Sequence, residues 1–195
     1  MNPPTRALFV GILLSASTGA LAQSPGAGIY LGGALGQATF KEWCTTGGTP
    51  NASFNSCKDS DSAWKLLGGY RFNRYFAIEA SYIEWGEVTA NVNLGVPPTV
   101  IEVAASQHSY GLAAVGTLPL AERFELFGKA GLLQNEQETR RISPNPSTFN
   151  RDETGFHYGV GAKYAFTRNW AVRGEWEKTE KLKVELLSIG VEYRF

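Results

Sequence analysis

Apolar and polar or small residues exchange places every second position through most of this chain, the period of an extended strand whose side chains point alternately to two faces. The final stretch shows it plainly. Leu187, Ile189, Val191, Tyr193 and Phe195 share one face, and Ser188, Gly190, Glu192 and Arg194 share the other. The same alternation recurs as Ile29, Leu31 and Leu35 against Tyr30, Gly32, Ala34 and Gly36, and as Trp64, Leu66, Gly68, Tyr70 and Phe72 against Lys65 and Arg71. It returns as Phe76, Ile78, Ala80 and Tyr82 against Glu79, and as Leu126, Gly128, Ala130 and Leu132 against Lys129. Phe156 to Phe166 alternate with His157 and Lys163, and Trp170, Val172, Gly174 and Trp176 alternate with Arg173 and Glu175.

With a segment at about 104–118, the pattern predicts eight strands, at about 29–40, 62–72, 76–85, 104–118, 124–133, 156–166, 170–176 and 186–195. Long loops are expected over about 41–61, 86–103 and 135–153, and a shorter charged one over Lys178 to Lys183. Between them lie tight turns at Asn73-Arg74, Pro119 to Glu122 and Thr167-Arg168-Asn169. Longer and shorter connections in strict alternation, with an even strand number, are the signature of an outer-membrane barrel. The fold expected is therefore all-β: an eight-stranded antiparallel up-and-down transmembrane β-barrel, with both termini on the periplasmic side.

The aromatic residues fit that reading. Phe72, Phe76, Phe124, Phe166, Trp170, Tyr193 and Phe195 gather near the short turns, and Trp64, Tyr82, Trp85, Phe156 and Trp176 near the long loops. Two girdles of this kind mark the two bilayer interfaces. The charged residues Lys65, Glu79, Lys129, Lys163, Arg173, Glu175 and Glu192 all fall on the face opposite the apolar set. A charge on the lipid face near the midplane costs about 2–4 kcal/mol, so a stable barrel turns them into its lumen. In a soluble eight-stranded barrel those charges would face water, and Trp64, Tyr82, Tyr164, Trp176 and Tyr193 would have to share an interior only just wide enough for side chains.

The N-terminus adds a targeting expectation. Arg6, the apolar run Ala7 to Leu14 and Ala20-Leu21-Ala22 read as a secretory signal peptide over residues 1–22, leaving 23–195 as the barrel domain. No later window approaches the roughly 20 apolar residues of a transmembrane helix. The balance of 18 basic and 18 acidic residues gives no basic face for nucleic acid. Export to an oxidising compartment makes a Cys44–Cys57 disulfide, stapling the first long loop, the natural expectation. Neither cysteine has a nearby histidine, so no metal site is expected, and no cofactor.

The residues Asn73-Arg74-Tyr75-Phe76-Ala77-Ile78-Glu79, Gly161-Ala162-Lys163-Tyr164-Ala165, Arg173-Gly174-Glu175 and Ser188-Ile189-Gly190-Val191-Glu192-Tyr193-Arg194-Phe195 resemble the N-terminal membrane domain of OmpA and the related small outer-membrane barrels. The resemblance covers 23–195 apart from the loops. It implies a lumen filled by salt bridges, with Glu79 and Arg173 placed where that family pairs an acid and a base. Lys163 stands where an acid is usual and Ala114 where a lysine is usual, so the resemblance implies a rewired second pair. It also implies that Tyr193-Arg194-Phe195 is read by the barrel-assembly machinery. No peptidoglycan-binding domain of the kind in full-length OmpA is expected from these residues, so cell-wall anchoring is not carried over from the resemblance.

These observations set the functional expectations. The first is a monomeric outer-membrane protein, among membrane lipids and lipopolysaccharide, with a structural role and adhesion-type loops. The second is a small, gated porin whose excess of Lys65, Lys129, Lys163 and Arg173 would favour anions. The remotest is a lipid A-modifying enzyme. His108 and Ser109 are adjacent in a strand and so face opposite sides, which denies them a direct base–nucleophile contact. No catalytic residue is therefore expected, and Glu84, Glu87 and Glu102 read as solvated rim charges.

Overall fold

In the computed structural model, which describes residues 26–40, 52–57, 60–94, 99–141, 147–181 and 183–195, the chain is a closed antiparallel barrel without helices among the described residues. Its strands are β1 (Gly28–Phe40), β2 (Ala52–Cys57), β3 (Ser60–Arg71), β4 (Phe76–Leu94), β5 (Thr99–Pro119), β6 (Phe124–Arg141), β7 (Ser147–Ala165), β8 (Trp170–Thr179) and β9 (Val184–Arg194). Eight of them form the wall in the order β1, β3, β4, β5, β6, β7, β8, β9, and β9 returns to pair with β1. Closure leaves the wall no sheet edge within the bilayer, so every backbone amide there finds a partner.

The long connections differ from expectation. Residues 86–103 and 135–153 are largely strand: β4 and β5 pair up to Leu94↔Thr99, and β6 and β7 up to Arg141↔Ser147. These hairpins rise past the barrel as a continuous sheet. The first long loop contributes the extra strand β2, which lies along β4 from Cys57↔Ala90 to Ala52↔Leu94. The change of partner is marked by a bulge. Pairing of β4 with β5 slips between Glu84 and Glu87, with Gly86 at φ 82, a conformation that suits glycine. A Cβ at Gly86 would also sit 2.7 Å from the Ser62 carbonyl oxygen. Residues 1–22 and Cys44 lie outside the described residues, so the leader and the disulfide remain expectations.

The barrel is inside out relative to a soluble protein. Leu35 is 70% exposed and Leu187 and Ile189 are each 66% exposed on the outer wall, whereas Lys65, Glu79, Arg173 and Glu192 are only 1–2% exposed within. Toward the short turns, Phe72, Phe76, Phe124, Phe166, Trp170 and Phe195 are exposed as a girdle. Toward the long hairpins, Trp64, Tyr82 and Tyr110 pack ring to ring at 5.4 and 5.2 Å. Trp85 is the exception to the girdle read from the sequence. It is three positions from Tyr82, an odd number, and so points into the lumen, where its Nε1 donates to Ser109 Oγ at 2.6 Å.

Candidate functional site

The lumen is the one place where the described ionisable residues are concentrated and buried. It is built in layers, and single strands show their order: β3 carries Ala63, Lys65 and Leu67 inward, and β6 carries Leu133, Lys129 and Phe127. At the long-hairpin end lies an apolar layer of Ala38, Phe40, Ala63, Ile83, Trp85, Leu133, Val184 and Leu186. Toward the short turns lies a second, of Tyr30, Leu67, Ala77, Val115 and Phe127. The charged groups are held between and against these layers.

Arg173 is the hub. Its Nη1 donates to Glu79 Oε2 at 2.9 Å and to Glu192 Oε2 at 3.3 Å, and its Nη2 donates to Glu175 Oε2 at 2.6 Å and Glu79 Oε1 at 3.4 Å. Lys129 reaches Glu79 at 3.3 Å and Glu177 at 2.5 Å, and also contacts Glu175. Lys65 bonds Glu175 at 2.8 Å and also Glu177. His157 Nε2 lies 3.2 Å from Glu177, and Tyr30 donates its hydroxyl to Glu79 at 3.1 Å. Every buried carboxylate in this set has at least two polar partners, the condition under which buried charge is tolerated.

Lys163 pairs with Glu192 at 2.6 Å and lies 5.0 Å from the ring centroids of both Tyr30 and Phe127. The Arg173 guanidinium lies 4.8 Å from the Phe127 ring. These cation–π contacts join the network to the lower apolar layer. Two glycines make the fit possible. A Cβ at Gly69 would meet the Tyr30 hydroxyl at 2.5 Å, and one at Gly161 would meet Phe127 Cε1 at 2.7 Å.

The structure thus brings together all seven charged residues singled out from the sequence, and it changes the picture in three ways. Glu177, which was missed, completes the set: Lys65, Lys129, Lys163 and Arg173 face Glu79, Glu175, Glu177 and Glu192, so the excess of positive charge disappears. The signal was present, since Glu177 follows Glu175 by two, but the strand was expected to end at Trp176. Ala114 faces outward and is exposed, so it does not occupy a lumen position, and the partner of Lys163 is Glu192. Near the short turns, Arg71 and Glu125 form a bidentate pair at 2.9 and 3.1 Å across strands that are not neighbours, which no local pattern announces.

Among the described residues neither histidine is hydrogen-bonded to a hydroxyl, although His157 stands opposite Thr179 in the β7–β8 register. His108 faces outward with Glu136 at 2.9 Å, while Ser109 faces inward and donates to Asn135 at 2.5 Å. His157 lies in the lumen against Glu177. Glu84 accepts from the Tyr82 hydroxyl at 2.8 Å, and Glu87 and Glu102 lie on the paired strands β4 and β5. No group of three or more His, Cys, Asp or Glu side chains among the described residues could hold a metal ion. At the C-terminus, Tyr193 packs on Trp170 and on Phe195, both at 4.9 Å, and the Asn169 side-chain amide donates to the Arg194 carbonyl at 2.7 Å.

Comparison with known proteins agrees with this architecture. The profile of the family described as "Outer membrane protein beta-barrel domain" matches residues 8–195. Outer membrane protein A of Yersinia pseudotuberculosis is 26% identical over 181 residues, which cover 85% of this chain and 48% of that protein. The chain therefore spans about half the length of the curated relative it matches. Among solved structures, OprG from Pseudomonas aeruginosa aligns with a TM-score of 0.62 at 13% identity, covering 89% of this chain and 98% of that one. Ail, the attachment invasion locus protein of Yersinia pestis, solved with the heparin analogue sucrose octasulfate, aligns with a TM-score of 0.52 at 16% identity over 86% of this chain and 99% of that one. At these identities both likenesses concern the fold.

Proposed function

Because the chain belongs to the outer-membrane β-barrel family and is an outer-membrane barrel, we propose that it is a sealed structural barrel that displays its long hairpins as an interaction surface. The observation that carries this reading is the filling of the lumen. Four cations and four carboxylates neutralise one another beneath an apolar layer closed by Trp85, Leu133 and Leu186. Such a layer favours dewetting, and a matched set of ion pairs offers no net field to draw an ion in. With the interior closed, what distinguishes the protein lies outside the membrane, in the sheet of β2, β4, β5, β6 and β7. Long loops on a rigid scaffold are where binding usually resides.

In this reading both termini are periplasmic, the protein is a monomer among lipopolysaccharide and other outer-membrane lipids, and Tyr193-Arg194-Phe195 is recognised by the barrel-assembly machinery. The outward His108 and inward Ser109 support a non-enzymatic role. Liposome swelling tests the proposal. Vesicles carrying the refolded protein should swell in arabinose no faster than empty vesicles, and swelling that scales with protein content would transfer the assignment to a small porin.

A further inference from the structure

The inward glycines of the wall have a steric reason to be glycine. A Cβ at Gly159 would stand 2.7 Å from the Trp176 carbonyl oxygen, and one at Gly111 would stand 2.7 Å from Leu133 Cδ1. Gly116 on β5 and Gly128 on β6 have no such reason. Both face outward and stand directly opposite each other in the strand register. An added Cβ would come no closer to another atom than 4.0 Å at Gly116 and 3.9 Å at Gly128. No other pairing among the described residues sets glycine against glycine. Glycine weakens a strand interior, and where the wall itself does not need it, it marks a place that another molecule approaches closely.

The two glycines floor a depression of about 420 Å³ on the outer wall, bounded by Phe76, Leu118 and Leu126. In the next outward row, farther from the short turns, Ala114 stands opposite Ala130 and continues the floor. What covers this furrow follows from where it lies. Its lining carries no charge, and it is continuous with the exposed apolar belt of Leu112, Leu126 and Leu132, which in an outer-membrane barrel faces hydrocarbon. A chain seated there touches protein below and on both flanks, whereas the convex wall elsewhere offers contact on one side only, and such contacts sum. The furrow adjoins the girdle at the short turns, so the chain that reaches it belongs to the lipid of that leaflet.

We propose that the Gly116–Gly128 furrow binds one acyl chain of a phospholipid of the periplasmic leaflet, retained as a resident lipid. The assignment rests on the short turns being periplasmic. It does not require the lumen to be closed, so lipid retention and vesicle swelling can fail independently.

Native mass spectrometry of the refolded full chain tests it, after loading with phosphatidylethanolamine in detergent and exchange into lipid-free detergent. One retained phospholipid per barrel is expected. Gly116→Leu and Gly128→Leu fill the furrow with a side chain directed at lipid, should fold normally by heat-modifiable mobility, and should each cut the retained fraction about tenfold. Gly174→Leu is the control. Gly174 also faces outward, on β8, with nothing within 4 Å of an added Cβ, but it lies outside the furrow and its variant should retain lipid like the wild type. No stoichiometric phospholipid, unchanged retention in the furrow variants or equal loss in the control would overturn the site. So would failure of both furrow variants to fold, because the wall itself would then need the glycines. A two-barrel mass that Gly116→Leu abolishes would give the furrow to a second copy instead. The leaflet is read separately. A thiol placed by Arg168→Cys on a short turn should stay unreacted, relative to the parent chain, with a maleimide polymer too large for porins in intact cells. Its labelling would overturn the phospholipid assignment even where the furrow retains a chain.

Discussion

Arg173→Met is the substitution that probes the lumen most severely, because it removes the charge of the hub while keeping much of its bulk. The guanidinium touches Glu79 at 2.9 and 3.4 Å, Glu175 at 2.6 Å and Glu192 at 3.3 Å. Without it, four buried carboxylates share three cations. Removing one partner of a buried ion pair costs about 3–5 kcal/mol. Each carboxylate here keeps a second cation, Lys129 for Glu79, Lys65 for Glu175 and Lys163 for Glu192, so the lower part of that range applies. At about 3 kcal/mol and a urea slope near 2 kcal/mol per molar, the unfolding midpoint should fall by about 1.5 M. The assay is urea unfolding in detergent, read by tryptophan fluorescence and by heat-modifiable mobility on gels. Adding Glu79→Gln restores neutrality, so the double variant should be less destabilised than the sum of the two singles. An unchanged midpoint for Arg173→Met, or strict additivity in the double variant, would refute the account of a balanced network.

Three further substitutions test the wall and the layers. Gly161→Val drives a side chain into the Phe127 ring and should cost about 1–3 kcal/mol in the same unfolding assay, whereas wild-type stability would mean that the ring can move aside. Ile189→Arg places a charge on a lipid-facing position that is 66% exposed, and should lower stability by about 2–4 kcal/mol in lipid vesicles. A small effect there would put Ile189 away from the midplane. Trp85→Ala removes the largest member of the upper layer and its bond to Ser109, and should cost about 3–5 kcal/mol by thermal gel shift; a loss under 1 kcal/mol would mean the layer is not packed.

What the sequence discloses and what it conceals have physical causes. The wall was legible because lipid on one side and buried charge on the other enforce an alternation that few other folds share, as in Leu187 and Ile189 against Ser188 and Glu192. Strand ends were not. Beyond Trp85 and Leu133 the sequence of β4 to β7 no longer alternates cleanly, while backbone pairing continues to Leu94↔Thr99 and Arg141↔Ser147. Glu177 at the top of β8 keeps the alternation of Arg173 and Glu175 and lay only past the expected strand end at Trp176. Ile83, Trp85, Leu133, Val184 and Leu186 were concealed differently, being apolar on the face that alternation assigns to polar groups. The Arg71–Glu125 pair depends on which strands oppose each other across the ring, a property of closure rather than of any segment.

The central claim, that the lumen is closed, is tested most directly by single-channel recording of the refolded protein in a planar bilayer, with Glu79→Ala alongside. The account predicts a silent membrane for the wild-type protein, with insertion shown by its heat-modifiable gel shift. A steady conductance that Glu79→Ala alters would contradict it, because current would then be passing the charged layer.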